Sequence, residues 1–458
     1  MFEKIMIANR GEIAVRICRT CKRMGIKTIT VHSEADRNSL HVQMADEAVN
    51  IGGLHAHESY MKIEKIVAAA LSAGCQAVHP GYGFLSENHR FAQTVSAAGL
   101  VFVGPPAEVI AMLEDKISSK ELAIKAGVPV IPAHTYPLDK LDDALTIAES
   151  IGYPVLLKPE SRGGGKGIHI VAAPNEMEAA LESSRQETCK AFGNSRVFME
   201  RFIEHPRHLE IQIIADAHGN IIHLGERESS IQRCYQKIIE EAPSPAVSAD
   251  LRRCMGRHAC DLARKAGYLN AGTVEFILDD KKHFYFLGMN TRLQVEHPLT
   301  EMTAGLDLVE LQLRIAAGER LPFSQNDVAL NGWTMEARIC AEDPARNFTP
   351  TTGRITRYAE PCGDSIRVDS GVSAGSMINA YYDSTLAKVF CHGKDREAAR
   401  AGLVDALNDY HIEGVMTNIA FVNNVLRHPE FVKGNISADF IEQHFSGDLS
   451  KCEPDEQH

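Results

Sequence analysis

The first hundred residues alternate between short, continuous apolar runs and segments whose apolar residues recur at helical spacing. Lys4–Ala8, Thr28–His32, Ala77–His79 and Leu100–Val103 read as strands, and Ile13–Met24, Ile63–Leu71 and Phe91–Ala98 as helices. Strands that are apolar on both sides must be covered on both faces. The pattern therefore predicts an α/β fold that opens with a doubly wound parallel sheet, over residues 1–113. Ala14, Ile17, Cys18, Cys21 and Met24 share one helical face, so the Cys18/Cys21 spacing reads as core packing rather than a redox or zinc motif.

Beyond Lys116 the pattern changes. Helices are expected at Ser118–Ala126 and Leu141–Ile151, on either side of a proline-punctuated link from Val128 to Pro132. Strands from Val155 to Pro159 and from Ile168 to Val171 flank Glu160–Gly167, which puts Gly163, Gly164, Gly165 and Lys166 at a hairpin tip. A Walker A loop and a Rossmann loop both open a helix, whereas Lys166 leads through Gly167 into a strand. What remains is a flap offering backbone N–H groups and one ammonium to phosphate oxygens, or a plain glycine-rich turn. Alternation resumes at His208–Ile214, and Gly272–Ile277 joins His283–Leu287 as an antiparallel hairpin. Met289–Pro298 reads as too polar for a core and too rich in chemistry for a linker. After the amphipathic helix Leu306–Ile315, short strands (Glu336–Cys340, Arg354–Tyr358, Ile366–Val368, Leu386–Cys391) and helices Glu397–Leu407 and Asn418–Leu426 predict a mostly β third domain. The expected divisions are 1–113, 114–330 with a lid over about 131–203, 331–446, and a frayed polar tail 447–458.

A length of 458 residues agrees with about three domains. With 48 Lys and Arg against 60 Asp and Glu, the net charge of −12 removes the broad basic field of a polyanion binder, so no nucleic-acid partner is expected. No apolar stretch approaches the roughly 18 residues of a membrane span, and Met1-Phe2-Glu3-Lys4 runs straight into a strand. The expectation is a cytoplasmic protein with no membrane partner. Eleven scattered cysteines form no disulfide framework.

Candidate chemistry clusters at the turns. Lys116, Lys158 and Lys166 are point charges of the kind a nucleoside triphosphate needs, and Glu200 at a strand end can bind an adenine amine. On the second hairpin, Glu275 and Asn290 can converge oxygens on a divalent cation. Arg292 and Glu296, four apart in an extended segment, offer an anion fork and a general base, and Lys237 adds a further cation.

Four segments, Ile7–Ala14, His79–Asn88, Asn290–Pro298 and Glu336–Ile339, resemble the signatures of the biotin carboxylase subunit of biotin-dependent carboxylases, within the ATP-grasp superfamily, and the likeness runs in order from Met1 to about Phe445. The resemblance implies an N-terminal domain, an ATP-grasp lid and core, a C-terminal biotin carboxylase domain, and a homodimer. It implies that Lys116, Lys158, Glu200, Ile203, His208 and Gln232 hold ATP, with Gly163, Gly164, Gly165 and Lys166 in the lid. Lys237, Arg292, Gln294 and Val295 would hold bicarbonate, Glu296 would deprotonate it, Arg338 and Tyr82 would face biotin, and Glu275 and Asn290 would hold Mg²⁺ or Mn²⁺. The implied ligase activity is ATP-dependent carboxylation of biotin through carboxyphosphate, the first half-reaction of an acyl-CoA carboxylase. Acetyl-CoA carboxylase of fatty acid biosynthesis is the first expectation, and pyruvate or propionyl-CoA carboxylase the alternative. No Ala-Met-Lys-Met-like motif occurs, so biotin is expected on a separate biotin carboxyl carrier protein, beside carboxyltransferase subunits.

Four positions depart from the family pattern. Gly288 stands where the family has a metal-binding glutamate, the lid begins Glu160-Ser161-Arg162, Tyr235 replaces a common histidine, and Ser230 replaces a frequent cysteine. Two alternatives to an active enzyme follow: a nucleotide-binding paralogue or variant impaired at Gly288, and another ATP-grasp ligase joining a carboxylate to an amine.

Overall fold

The computed structural model describes residues 1–134, 136–138, 140–159, 168–192 and 195–445. The segment Glu160–Gly167, with the Glu160-Ser161-Arg162 departure and the candidates Gly163, Gly164, Gly165 and Lys166, lies outside the described residues, as does the polar tail.

Five parallel strands form the first sheet: β1 (Lys4–Ile7), β2 (Lys27–Ser33), β3 (Glu47–Gly52), β4 (Ala77–His79) and β5 (Val101–Phe102), in the order β3-β2-β1-β4-β5. Helices Gly11–Arg23, Ile63–Ser72 and His89–Ala97 follow the expected positions closely. Strand β3 was not anticipated, because an edge strand reading Glu47-Ala48-Val49-Asn50 is half exposed and lacks the apolar run of its neighbours. Cys18 and Cys21 are buried in the core under this sheet, and burial pushes the Cys18 thiol up to about 11, so neither is poised for redox chemistry.

The lid is a four-stranded antiparallel sheet of β6 (Ala133–His134), β7 (Val155–Pro159), β8 (His169–Val171) and β9 (Val197–Arg201), ordered β6-β9-β7-β8. Strands β7 and β8 pair antiparallel from Val155↔Val171 to Leu157↔His169, which is the flanking hairpin geometry the sequence predicts. Helices Leu141–Ile151 and Met177–Phe192 give this sheet a small core of its own.

The third sheet carries most of the site. Its eight strands include β10 (Arg207–Ala215), β11 (Ile221–Arg233), β12 (Gln236–Ala242), β13 (Asn270–Leu278), β14 (Phe284–Asn290) and β15 (Trp333–Cys340). The order is β14-β13-β10-β11-β12-β15, followed by Thr385–Gly393 and Ile366–Ser370, antiparallel throughout. The strands expected to build a third domain therefore extend this same sheet, which runs without a break past residue 330.

Period-two alternation divides the two faces. On β10 and β13, Leu209, Ile211, Val274, Phe276 and Leu278 point into a core closed by helix Ala249–Ala266, while His208, Glu210 and Glu275 point the other way. On β15, Met335, Ala337 and Ile339 face a second core, and Glu336 and Arg338 face the cleft. Each buried aliphatic or aromatic side chain contributes about 1.5–3 kcal/mol. A one-residue slip would exchange every charge on the cleft face for an apolar side chain, so the cores lock the register that positions the site.

Candidate functional site

Strand pairing sets a transverse row of four residues: Gly288 on β14 opposes Glu275 on β13, Glu275 opposes Glu210 on β10, and Glu210 opposes Arg227 on β11. Arg227 is fully buried and holds this row flat, donating to Glu210 Oε2 at 3.2 Å, Gln212 Oε1 at 2.8 Å, Thr300 Oγ1 at 2.9 Å and Gln294 Oε1. Asn290 Nδ2 donates to Glu275 Oε1 at 2.6 Å, and Gln294 Nε2 to the same oxygen at 3.2 Å. Glu275 and Asn290 thus meet through the Asn290 amide nitrogen. At Gly288 a Cβ would meet nothing nearer than Glu275 Oε2 at 4.0 Å, so the place of a second carboxylate is open.

Next to the row, Lys237 pairs with Glu210 and Glu296, and lies 3.9 Å from Glu275. Arg338 Nη2 is shared between Glu296 Oε2 at 2.9 Å and Glu240 Oε1 at 2.8 Å, with Glu336 3.8 Å from Arg338 Nε. Burial disfavours the Glu296 anion, but Lys237, Arg338 and Arg227 overcome it and hold the carboxyl well below its ordinary range. For Glu240 and Glu336 burial wins instead and pushes both up. Five carboxyls (Glu210, Glu240, Glu275, Glu296, Glu336) surround three cations (Lys237, Arg227, Arg338), and protonation of Glu240 and Glu336 brings the cluster toward balance.

The other candidates fall around this centre. Arg292 donates to Glu87 Oε2 at 2.9 Å, not to Glu296, because the chain from Thr291 to Glu296 turns instead of running extended as expected. The Val295 carbonyl accepts from the buried Lys388 at 2.8 Å, and Lys388 pairs with Glu12 at 3.0 Å. Lys158 pairs with Glu200 across β7 and β9, so two of the expected nucleotide contacts meet directly. Ile203 is buried, Gln232 Nε2 lies 3.2 Å from His208 Nδ1, and burial lowers His208 to about 4, which leaves its imidazole neutral at pH 7. Lys116 is the exposed first residue of helix Lys116–Lys125. The Tyr82 ring lies 5.7 Å from Lys388 Nζ, and the Tyr82 carbonyl accepts from Asn9 at 2.7 Å within the first domain. Of the departures, Tyr235 is 87% exposed on the turn between β11 and β12, and Ser230 is buried and donates to Glu228.

One expectation is corrected. Met289–Pro298, read as too polar for a core, has Met289, Thr291, Leu293, Gln294, Glu296, His297 and Pro298 buried. Its polar groups are paired internally: Gln294 with Arg227, Glu296 with Lys237 and Arg338, and His297 Nδ1 with the Gln294 carbonyl at 2.7 Å. The sequence reading also passed over Glu210, Arg227, Glu240, Glu336, Lys388 and Glu87 as site residues. The signal was available in part, since charges at alternate positions of otherwise apolar strands, as in His208-Leu209-Glu210-Ile211-Gln212, mark a face that buries polarity.

Residues 1–110 match the family model of the biotin carboxylase N-terminal domain, 115–324 that of the carbamoyl-phosphate synthase L chain ATP-binding domain, and 336–443 that of the biotin carboxylase C-terminal domain. The chain is 48% identical to a propionyl-CoA carboxylase alpha chain of Ruegeria pomeroyi, over 97% of this chain and 68% of the relative. It is 48% identical to a biotin carboxylase of a Nostoc species, over 96% of this chain and 99% of the relative. Among solved structures, it superposes on the biotin carboxylase domain dimer of Hydrogenobacter thermophilus 2-oxoglutarate carboxylase in complex with MgADP, ADP and bicarbonate. The TM-score is 0.86 at 45% identity, covering 97% of this chain and 98% of that one.

Proposed function

Because this chain belongs to the biotin carboxylase family of ATP-grasp ligases, we propose that it carboxylates biotin with bicarbonate at the expense of ATP. The observation that carries the reading is Glu296, a buried carboxylate gripped by Lys237 and Arg338 beside the Glu275–Asn290 corner. An incoming bicarbonate competes for the same cations. As Lys237 and Arg338 turn to it, Glu296 loses the charges that keep its proton affinity low and becomes a base at the moment its substrate arrives. Arg292 and the backbone at Val295 close the anion site, with Gln294 held in orientation by Arg227.

Arg338 keeps its bond to Glu240 when it releases Glu296, so the guanidinium stays anchored near the oxyanion that develops on the ureido ring of biotin. An arginine suits this role because its charge survives at any working pH. Lys158, Glu200, Ile203, His208 and Gln232 would orient the nucleotide, with Lys116 at its edge. Glu275 and Asn290 would hold the Mg²⁺ or Mn²⁺ that screens the phosphate charge. The donor set fits such an ion: Glu275 is held below the ordinary carboxylate range, and His208 Nε2 is a buried nitrogen without a hydrogen-bond partner among the described residues.

The biotin would arrive on a carrier protein, and the carboxyl group would pass to a carboxyltransferase that selects the acyl acceptor. Acetyl-CoA carboxylase gains no specific support, since the Ruegeria relative is named for propionyl-CoA. We read the partner as an acyl-CoA carboxylase, with transfer to acetyl-CoA against propionyl-CoA in a reconstituted complex as the deciding assay. We also propose a homodimer in the cytoplasm. No helix among the described residues is long and apolar enough to cross a membrane.

Bicarbonate-dependent ATP hydrolysis, with and without free biotin, tests the reading: turnover should need bicarbonate and rise with biotin. Hydrolysis indifferent to both would overturn it. Gly288 favours one second reading, a member of the family that binds nucleotide and turns over poorly, for which nucleotide binding would persist with little hydrolysis.

A further inference from the structure

We propose that, with Gly288 in place of a carboxylate, the divalent cation moves from the Glu275–Asn290 corner to His208 Nε2, Glu210 and Glu275, a mixed nitrogen and oxygen site one strand inward that takes His208 from the nucleotide and selects Mn²⁺ over Mg²⁺. The proposal takes from the function above only that a divalent cation serves this cleft. The site stands on geometry. His208 and Glu210 are two apart on β10 and share its cleft face, and Glu210 is paired across the ladder with Glu275. His208 Nε2 lies 3.8 Å from Glu275 Oε1 and 4.0 Å from Glu210 Oε1, and one ligand atom from each of the three residues falls within 4.8 Å of the others. Neighbouring ligands about 2.0–2.2 Å from one ion sit about 3 Å apart, so the three side chains must close inward by about 1 Å or more to share it.

Two further observations point to a ligand. His208 Nε2 is buried without a hydrogen-bond partner among the described residues, too far from either carboxylate to be satisfied by it. The other ring nitrogen faces the Gln232 side-chain amide at 3.2 Å. A metal-bound imidazole needs an acceptor at its second nitrogen. Turning the Gln232 amide so that its oxygen meets Nδ1, at the expense of its contact to the Ser229 carbonyl, puts the proton on Nδ1 and the free lone pair on Nε2. Lys237 now neutralises Glu210, and its second partner Glu296 receives it when the ion enters.

Ion selectivity follows from the donors. With a carboxylate at position 288 the ion would sit between oxygens at the end of β14, a set that suits Mg²⁺. With Gly288 the available donors lie on the other side of Glu275 and include an imidazole nitrogen, which Mg²⁺ accepts poorly and Mn²⁺ tolerates.

The test is titration of the full chain with Mn²⁺ alone and with Mn²⁺ and ATP, followed by electron paramagnetic resonance, with pulsed measurement on protein carrying ¹⁵N-labelled histidine. The expected result is a histidine ¹⁵N coupling to bound Mn²⁺, and displacement of Mn²⁺ by Mg²⁺ only at about tenfold or greater excess. His208→Ala should abolish the coupling and weaken Mn²⁺ by about 10- to 100-fold. Gly288→Glu should narrow the preference for Mn²⁺ by strengthening Mg²⁺. Mn²⁺ bound together with ATP but with no histidine coupling in the unaltered chain overturns this proposal and leaves the functional reading standing. Failure to bind ATP overturns the functional reading alone, and Mn²⁺ bound without ATP and without histidine coupling, or no Mn²⁺ binding, overturns this proposal.

Discussion

Glu296 is ionised in the resting protein by the cations it must give up to act, and this decides what its replacement should do. Glu296→Gln keeps the shape of the side chain but cannot accept a proton. Bicarbonate-dependent ATP hydrolysis should fall by about 10²- to 10⁴-fold with ATP affinity unchanged, as measured by steady-state kinetics and nucleotide binding. If Glu296 served only as an ion-pair partner of Lys237 and Arg338, the variant would instead lose stability, by about 3–5 kcal/mol for a broken buried pair, with turnover per folded molecule intact. Arg338→Ala should reduce biotin carboxylation by about 100- to 1000-fold while nucleotide affinity stays within a few-fold. Equal losses of ATP binding and turnover would place this arginine in another role. The melting temperature of Arg338→Ala should also drop, because the buried Glu296 carboxylate loses a counter-charge and Glu240 a hydrogen-bond partner.

At the scale of the element, the hairpin β13–β14 carries Gly288, directly beside the candidate metal ligand Glu275. Gly288 is directly opposite Glu275, and its backbone is outside the left-handed region, so a side chain fits without strain. Gly288→Glu should raise bicarbonate-dependent ATPase by about tenfold or more and lower the Mg²⁺ concentration giving half-maximal rate, since even outer-shell metal partners are worth about 10- to 100-fold. The restored carboxylate would face Glu275 across the strand pair, and like charges opposite one another are destabilising. Thermal melts should therefore show the variant losing stability without Mg²⁺ and recovering it when the ion is added. No change in either rate or metal requirement would mean that another ligand set already serves the ion.

At the scale of the whole molecule, buried histidines couple the fold to acid. His79 ends β4 inside the first sheet, accepts from the Gly81 amide at 3.1 Å, and is lowered by burial to about 3. Its folded value lies below the ordinary 6.5, so the unfolded chain takes the proton first. The stabilisation is complete above pH 6.5 and is lost as pH falls toward about 3, at up to about 1.4 kcal/mol per pH unit. Urea unfolding from pH 7 to pH 4 should show a steeper loss for the unaltered chain than for His79→Gln, by one proton's worth of slope. Parallel curves would mean that the ring is already protonated or exposed in the fold.

The sequence by itself determined the kind and order of the elements with a clear apolar pattern, the half-exposed edge strand β3 excepted. These depend on periodicities of 2 and about 3.6 residues that are local to each segment. Helix Leu141–Ile151 and strand Ala77–His79 fall where their own patterns put them, and Glu275 and Asn290 meet because the local hairpin pairs β13 with β14. The resemblance of Glu336–Ile339 and Asn290–Pro298 to family signatures supplied the roles. Tertiary structure alone decided which charges meet. Arg338 and Glu296 are 42 residues apart, Arg292 and Glu87 are 205 apart, and Lys388 reaches the Val295 carbonyl across 93. No local pattern encodes such contacts, because they follow from the order in which eight strands join one sheet and from the register that the apolar faces lock. The burial of Met289–Pro298 belongs to the same class: polar residues go inside only when distant partners satisfy them, and those partners come from β10, β11, β12 and β15.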